Sequence, residues 1–162
     1  MNSRQFFKMV VFMLGSSFLF YLIAIFDFEL SKSILSALET TSPYVIALNT
    51  AATLYLLKYI DSISSSITPL RTEKNTKNLK IFQKSLKTLN QEAISNITLA
   101  IVLFIILKVL ESNNIDKNKE SILLVVYALQ FSMISLIFVI AVMQVNALRT
   151  AMNYRQVIEN NK

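Results

Sequence analysis

The sequence predicts an all-α polytopic membrane protein: four transmembrane helices, of which helices 2 to 4 extend into a cytoplasmic helical stalk. Three observations carry this. Apolar residues make up 54% of the 162 and charged residues only 16%, and a mean hydropathy of +0.51 lies outside the range of ordinary soluble domains. Uncharged runs recur at lengths close to the hydrocarbon thickness of a bilayer. Finally, Leu79, Phe82, Leu86, Leu89, Ala93, Asn96, Ala100, Leu103, Leu107 and Leu110 follow one another at alternating steps of three and four, which is a continuous heptad seam. Its first half lies among lysines and its second half in an uncharged run, so one unbroken helix passes from water into lipid. Residues 1–162 read as a single four-helix transmembrane domain, with 69–92 as a basic amphipathic cytoplasmic segment within it.

The first span is the uncharged run Met9–Phe26, about 27 Å long as a helix, preceded by Arg4 and Lys8. The run exceeds a signal-peptide hydrophobic region and no small-x-small cleavage site follows it, so it reads as an uncleaved anchor. Gly15-Ser16-Ser17 is a small-residue patch at which a neighbouring helix could approach. Asp27, Glu29, Lys32 and Glu39 mark an acidic connection, with a short interfacial turn of helix over Ser31–Leu38. Thr41-Ser42-Pro43 is then a helix-start signal, a hydroxyl cap followed by proline at the first helical position.

The second span is expected over Pro43–Ile60, continuing to Thr68 before Pro69 stops it. Asn49, Thr53, Asp61 and Ser65 fall at multiples of four and predict a polar stripe directed at other helices or a wet cavity, because polar groups in hydrocarbon need partners. Lys58 and Asp61 are placed to pair at i,i+3. Arg71, Lys74, Lys77, Lys80, Lys84 and Lys87 follow. In the heptad frame Lys77, Lys80, Lys84 and Lys87 lie opposite the seam, giving a solvated basic face. It serves either as a positive-inside determinant beside anionic lipid or as a surface for an anionic partner.

The third span runs from Ala93 to about Leu110, with Lys108 snorkelling outward and Asn96 on the seam where leucine is expected. A single polar seam residue fixes register and oligomer state. A short polar loop, Glu111–Glu120, leads to the fourth uncharged run, Ser121–Leu148, about 42 Å long and followed by an amphipathic tail. Tyr127, Gln130 and Ser135 are its polar positions in the outer half, and Gln144 and Asn146 lie near the inner end. Basic residues concentrate in the N-terminus, the second connection and the tail from Arg149. The expected topology therefore has both termini cytoplasmic, in a cell inner membrane.

The chain has no cysteine and no histidine. Disulfides, thiolate nucleophiles, sulfur-ligated metals and the commonest general base are thereby excluded, and no catalytic residues, metal or cofactor are assigned. With one glycine and two prolines it lacks the repeats and broken helices of transporters. Two functional readings remain. One is a homo-oligomeric pore or channel-forming effector, its seam and polar residues Asn49, Thr53, Asp61, Asn96 and Gln130 satisfied between copies. A cytoplasmic protein, nucleotide or oligonucleotide on the basic face would gate it. The other is a non-conducting membrane anchor or scaffold for a cytoplasmic enzyme. In size, span number, short outer loops and the basic helix around Lys74–Lys87, the chain resembles the small four-helix membrane subunits of bacterial anti-phage defence systems. That resemblance implies an inner-membrane effector and transfers no functional residue.

Overall fold

A computed structural model describes residues 3–67, 76–112 and 120–159, all of them helical except Asp27. The helices are α1 (Ser3–Phe26), α2 (Phe28–Ile67), α3 (Thr76–Ser112) and α4 (Glu120–Glu159). At 24, 40, 37 and 40 residues, α1 is about 36 Å long and the others about 55–60 Å. Phe7–Phe26, Lys80–Glu111 and Ser121–Gln156 are long and apolar enough to cross a membrane. The protein is thus an all-α chain of the membrane type. The expected second span is not among these three. The uncharged stretch of α2 between Glu39 and Lys58 carries Tyr44, Asn49, Thr50, Thr53 and Tyr55, and these dilute its hydropathy.

Chain directions follow from the packing. Phe20 of α1 stacks on Phe131 of α4 at 4.3 Å between centroids, while Met9 packs among Leu136, Ile137 and Ile140, so α1 and α4 are antiparallel. Leu35 lies with Ala128, and Leu56 and Ile60 with Ala151, so α2 runs parallel to α4. Leu107 joins the Ala128 cluster and Leu86 the Ala151 cluster, which sets α3 antiparallel to both. The result is an up-down-up-down bundle in which α4 touches every other helix, while the described parts of α1 and α3 do not meet. Since α1 is short, α2, α3 and α4 continue past its start as a three-helix extension.

The second helix starts at Phe28, not at Pro43, and the expected interfacial turn over Ser31–Leu38 is part of its first turns. Asp27 makes the corner. Its amide still donates to the carbonyl of Ile23 at 2.9 Å, ending α1, while its Oδ1 accepts from the Leu30 amide at 2.9 Å, capping α2. Pro43 sits inside α2. Proline has no N–H for the carbonyl of Glu39, and the Ser42 hydroxyl supplies the missing donor at 3.0 Å. Thr40 and Thr41 likewise donate to the carbonyls of Ser36 and Ala37. The hydroxyls that read as a cap are therefore tied back into the preceding turn.

The heptad seam of α3 is buried within the chain. Leu86, Ala93, Asn96, Ala100, Leu103 and Leu107 are buried, Phe82, Leu89 and Leu110 partly so, and they pack against α2 and α4. The Leu79 side chain lies outside the described residues. The small-residue patch of α1 divides: Gly15 faces outward with nothing within 4 Å of where a Cβ would be, whereas Ser17 meets α4 through the Ala128 carbonyl at 3.3 Å.

If Ser42 compensates for the proline, the two residues are energetically coupled. Ser42→Ala should lower the unfolding free energy in detergent by about 1 kcal/mol. In a Pro43→Ala background, where an amide serves Glu39, the same change should cost much less. Additive effects across this double-mutant cycle would show that the hydroxyl is not standing in for the amide.

Candidate functional site: a buried carboxamide layer

Three of the four helices place a polar residue at one level of the core. Asn49 and Thr53 come from α2, Asn96 from α3 and Gln144 from α4, at 1%, 3%, 6% and 1% exposure. Apolar clusters lie on either side of them. Toward the α1–α2 corner sit Val45, Ile46, Ala100, Leu103, Ile137 and Ile140; toward the three-helix extension sit Leu56, Ile60, Leu86, Leu89, Ala147 and Ala151. Lys8 and Met9 lie beside Met143, so the layer is at the level where α1 begins.

The hydrogen bonding of the layer is incomplete. Gln144 Nε2 donates to the carbonyl of Ala93 at 2.8 Å, a reach made possible by the small side chain of Ala93. Thr53 Oγ1 donates to the carbonyl of Asn49 at 2.8 Å. Both side-chain polar atoms of Asn49 and the Oε1 of Gln144 are buried without a partner among the described residues. Gln130, 4% exposed, lies two heptads before Gln144, and its Oε1 is unpartnered as well. A buried polar atom without a partner costs about 1–3 kcal/mol.

The structure brings together Asn49, Thr53 and Asn96, buries Gln130 apart from them, and leaves Asp61 out. Asp61 is exposed and forms no ion pair with Lys58, which is exposed too. A step of four residues turns a helix by about 400°, so a stripe drawn at multiples of four drifts by about 40° per step. Three steps from Asn49 carry Asp61 out of the core. Ser65, another step on, is exposed and donates to the Ser62 carbonyl.

Gln144 completes the layer and was visible in the sequence. Gln130, Met133, Ile137, Ile140, Gln144, Ala147 and Ala151 make a second seam of alternating threes and fours, on which both glutamines occupy equivalent heptad positions.

On the extension, Lys80, Lys84 and Lys87 are exposed on the face of α3 opposite its seam, as the heptad frame required. Arg71 and Lys74 lie outside the described residues, as does the side chain of Lys77. Beside this face, Phe82 packs edge-on against Tyr154 at 4.9 Å, and the Arg155 guanidinium lies 5.6 Å from the Tyr59 ring centre.

At the opposite end, Lys108 pairs with Glu111 and lies 5.6 Å from the ring centre of Phe104. Glu39 of α2 approaches the same pair. Its carboxyl is raised above the ordinary 4.5 by partial burial and then by the Glu111 charge, against the lowering effect of Lys108. Among the described residues no group of three or more Asp and Glu side chains is placed to hold a metal ion.

No family model matches this sequence, and comparison with curated proteins and with solved structures finds no match.

Two outcomes follow from these environments. Asn49→Leu keeps the branching and heavy-atom number of the side chain and removes two unpartnered polar atoms, so the detergent-solubilised variant should unfold at the same or a higher temperature than the parent. A clear loss of stability would mean that the amide is bonded. For Glu39, the folded chain holds the proton more tightly than the unfolded chain. Stability should thus fall as pH rises from 4.5 through the raised value, and the penalty should persist above it. Glu39→Gln should flatten that dependence and stabilise the protein at neutral pH, as read from thermal midpoints across a pH series.

Proposed function

We propose that the chain is a four-span protein of the cell inner membrane, with both termini and the three-helix extension cytoplasmic, and that it works as a gated, homo-oligomeric pore-forming effector. α2 would be the fourth span. It runs between α1 and α3 along the whole of α4, so a bilayer that surrounds the three apolar helices surrounds it too. Its exposed residues from Pro43 to Tyr55 are uncharged. The lysines on the extension support the orientation.

The observation that carries the pore reading is the unpartnered carboxamides of Asn49, Gln144 and Gln130. Buried polar groups without partners are costly and are generally kept for a purpose, and an anchor would pack as well with leucine at these positions. In the packed bundle the layer is closed, with Ile137 and Ile140 on one side and Leu56 and Ile60 on the other. Conduction would follow when the helices separate and the amides meet water or the amides of a second copy. The exposed face of Lys80, Lys84 and Lys87 suits an acidic cytoplasmic protein, a nucleotide or an oligonucleotide as the signal. An effector of this kind agrees with the layout of anti-phage membrane subunits.

One observation favours the alternative of a non-conducting anchor or scaffold. The Thr50 and Thr98 hydroxyls donate to their own helix, to the carbonyls of Ile46 and Ile94, and so offer no wet lining between copies.

Ion flux from liposomes discriminates the two. The pore reading expects the reconstituted wild type to conduct, alone or with a cytoplasmic partner, and the Asn49→Leu, Gln144→Leu double variant to lose at least about tenfold in flux while keeping its mass. Wild-type vesicles that retain a partner yet never leak would assign the anchor. Topology has its own check, since the chain has no native cysteine. Cysteines placed at Ser33 and Asn118 should react with an impermeant thiol reagent from outside, and one at Thr76 should not; the reverse pattern would overturn the orientation.

A further inference from the structure

An elongated cleft of about 260 Å³ runs between α1 and α4 at the level where α1 begins, lined by Lys8, Met9, Phe12, Leu136, Val139 and Met143. Its walls are apolar, Lys8 contributing its aliphatic stem while its exposed ammonium stands at the rim. Met9 and Leu136 form the floor, while Phe12 and Lys8 stand exposed on the α1 side. Among the described residues no carboxylate pairs with Lys8. The two methionines flank the cleft with unbranched, adaptable side chains that can mould to a flexible chain.

We propose that this cleft binds an anionic phospholipid, with one acyl chain lying against Phe12, Leu136 and Val139 and the headgroup phosphate on Lys8. The chemistry of the walls selects this occupant. A soluble anion would meet one lysine and leave the apolar trough unused. A helix from a second copy would bury the trough but trap an unpaired ammonium, a costly arrangement. A choline headgroup would bring its own cation up to Lys8. Only an amphiphile with an apolar tail and a net negative head satisfies both parts. Lys8 also has the right place on the helix for this, because it ends the uncharged run of α1, where chain and headgroup meet.

Native mass spectrometry of the detergent-purified full chain, offered phosphatidylglycerol and phosphatidylcholine with identical acyl chains, tests the proposal. The wild type should retain phosphatidylglycerol about fivefold over phosphatidylcholine, the effect expected of one cation near the interface. Lys8→Gln, a surface change, should bring the two lipids level. Val139→Phe, which fills the trough, and Phe12→Ser, which makes its exposed wall polar, should each lower retention of both lipids at an unchanged thermal midpoint. Equal retention of the two lipids by the wild type, or a preference that survives Lys8→Gln, would overturn the assignment. Full retention of both lipids by Val139→Phe and Phe12→Ser would do so too, by moving the lipid elsewhere.

Discussion

Every helix of this protein finds its place on the seam of α4. That seam, Gln130 through Ala151, faces α1 over its first half and α2 and α3 along its length, and among the described helices only α2 likewise meets all three others. In lipid the hydrophobic effect gives helices little reason to associate, so close packing and hydrogen bonds must hold them together. α4 supplies both. Its buried Ala128 and Ala151 let neighbouring helices approach, Phe131 stacks on Phe20, and Gln144 bonds to the backbone of α3. The Ala128 carbonyl accepts the Ser17 hydroxyl of α1, one more tie across the same surface.

Much of this was legible in the sequence because it follows from periodicity. The seam of α3 is buried where the threes and fours placed it, and Lys80, Lys84 and Lys87 are exposed opposite it. Helix starts and fine angular position were less legible, for identifiable reasons. Thr41-Ser42-Pro43 has the chemistry of a helix start, but the same hydroxyls can donate backwards to carbonyls, and Ser42 does so for the one that Pro43 leaves unserved. The true start, Asp27, lies in a cluster of charges that reads as a loop, yet a single aspartate closes one helix and caps the next. Accumulated rotation carries Asp61 out of the stripe, and Gln144 shows itself in the seam of α4 and not in the length of its uncharged run. That the seams pair within one chain rather than between copies is a tertiary fact. Periodicity says that a face is buried and not what buries it.

The molecule changes character along its axis at the carboxamide layer. On one side are four helices with an apolar exterior; on the other, three helices whose exposed faces carry lysines, Arg149 and Arg155. The layer lies beside the second turn of α1, close to the start of that helix. A core of leucine at that level would serve either part equally well. A layer of amides, by contrast, resists slippage of one helix along another, since a shift of one turn would carry Asn49 or Gln144 into an aliphatic cluster. It thus holds register at a cost in stability.

The cost is uneven, and it points to the helix that moves most easily. Gln144 is tied to Ala93, so α3 and α4 cannot shift against each other at the layer without breaking a bond. The Asn49 side chain has no partner among the described residues, so α2 gives up no hydrogen bond at the layer by turning there. α2 also has a built-in joint a turn and a half away, where Pro43 removes an amide and Ser42 substitutes for it. Its far end is capped by Asp27, and its other flank leads past Lys58 toward the residues that carry the basic segment. α2, α3 and α4 all run unbroken from the extension into the layer, so a force applied to the extension reaches it along each of them. The least costly response is rotation of the segment between Pro43 and Ile60, which would bring Asn49 toward partners that it lacks in the closed bundle.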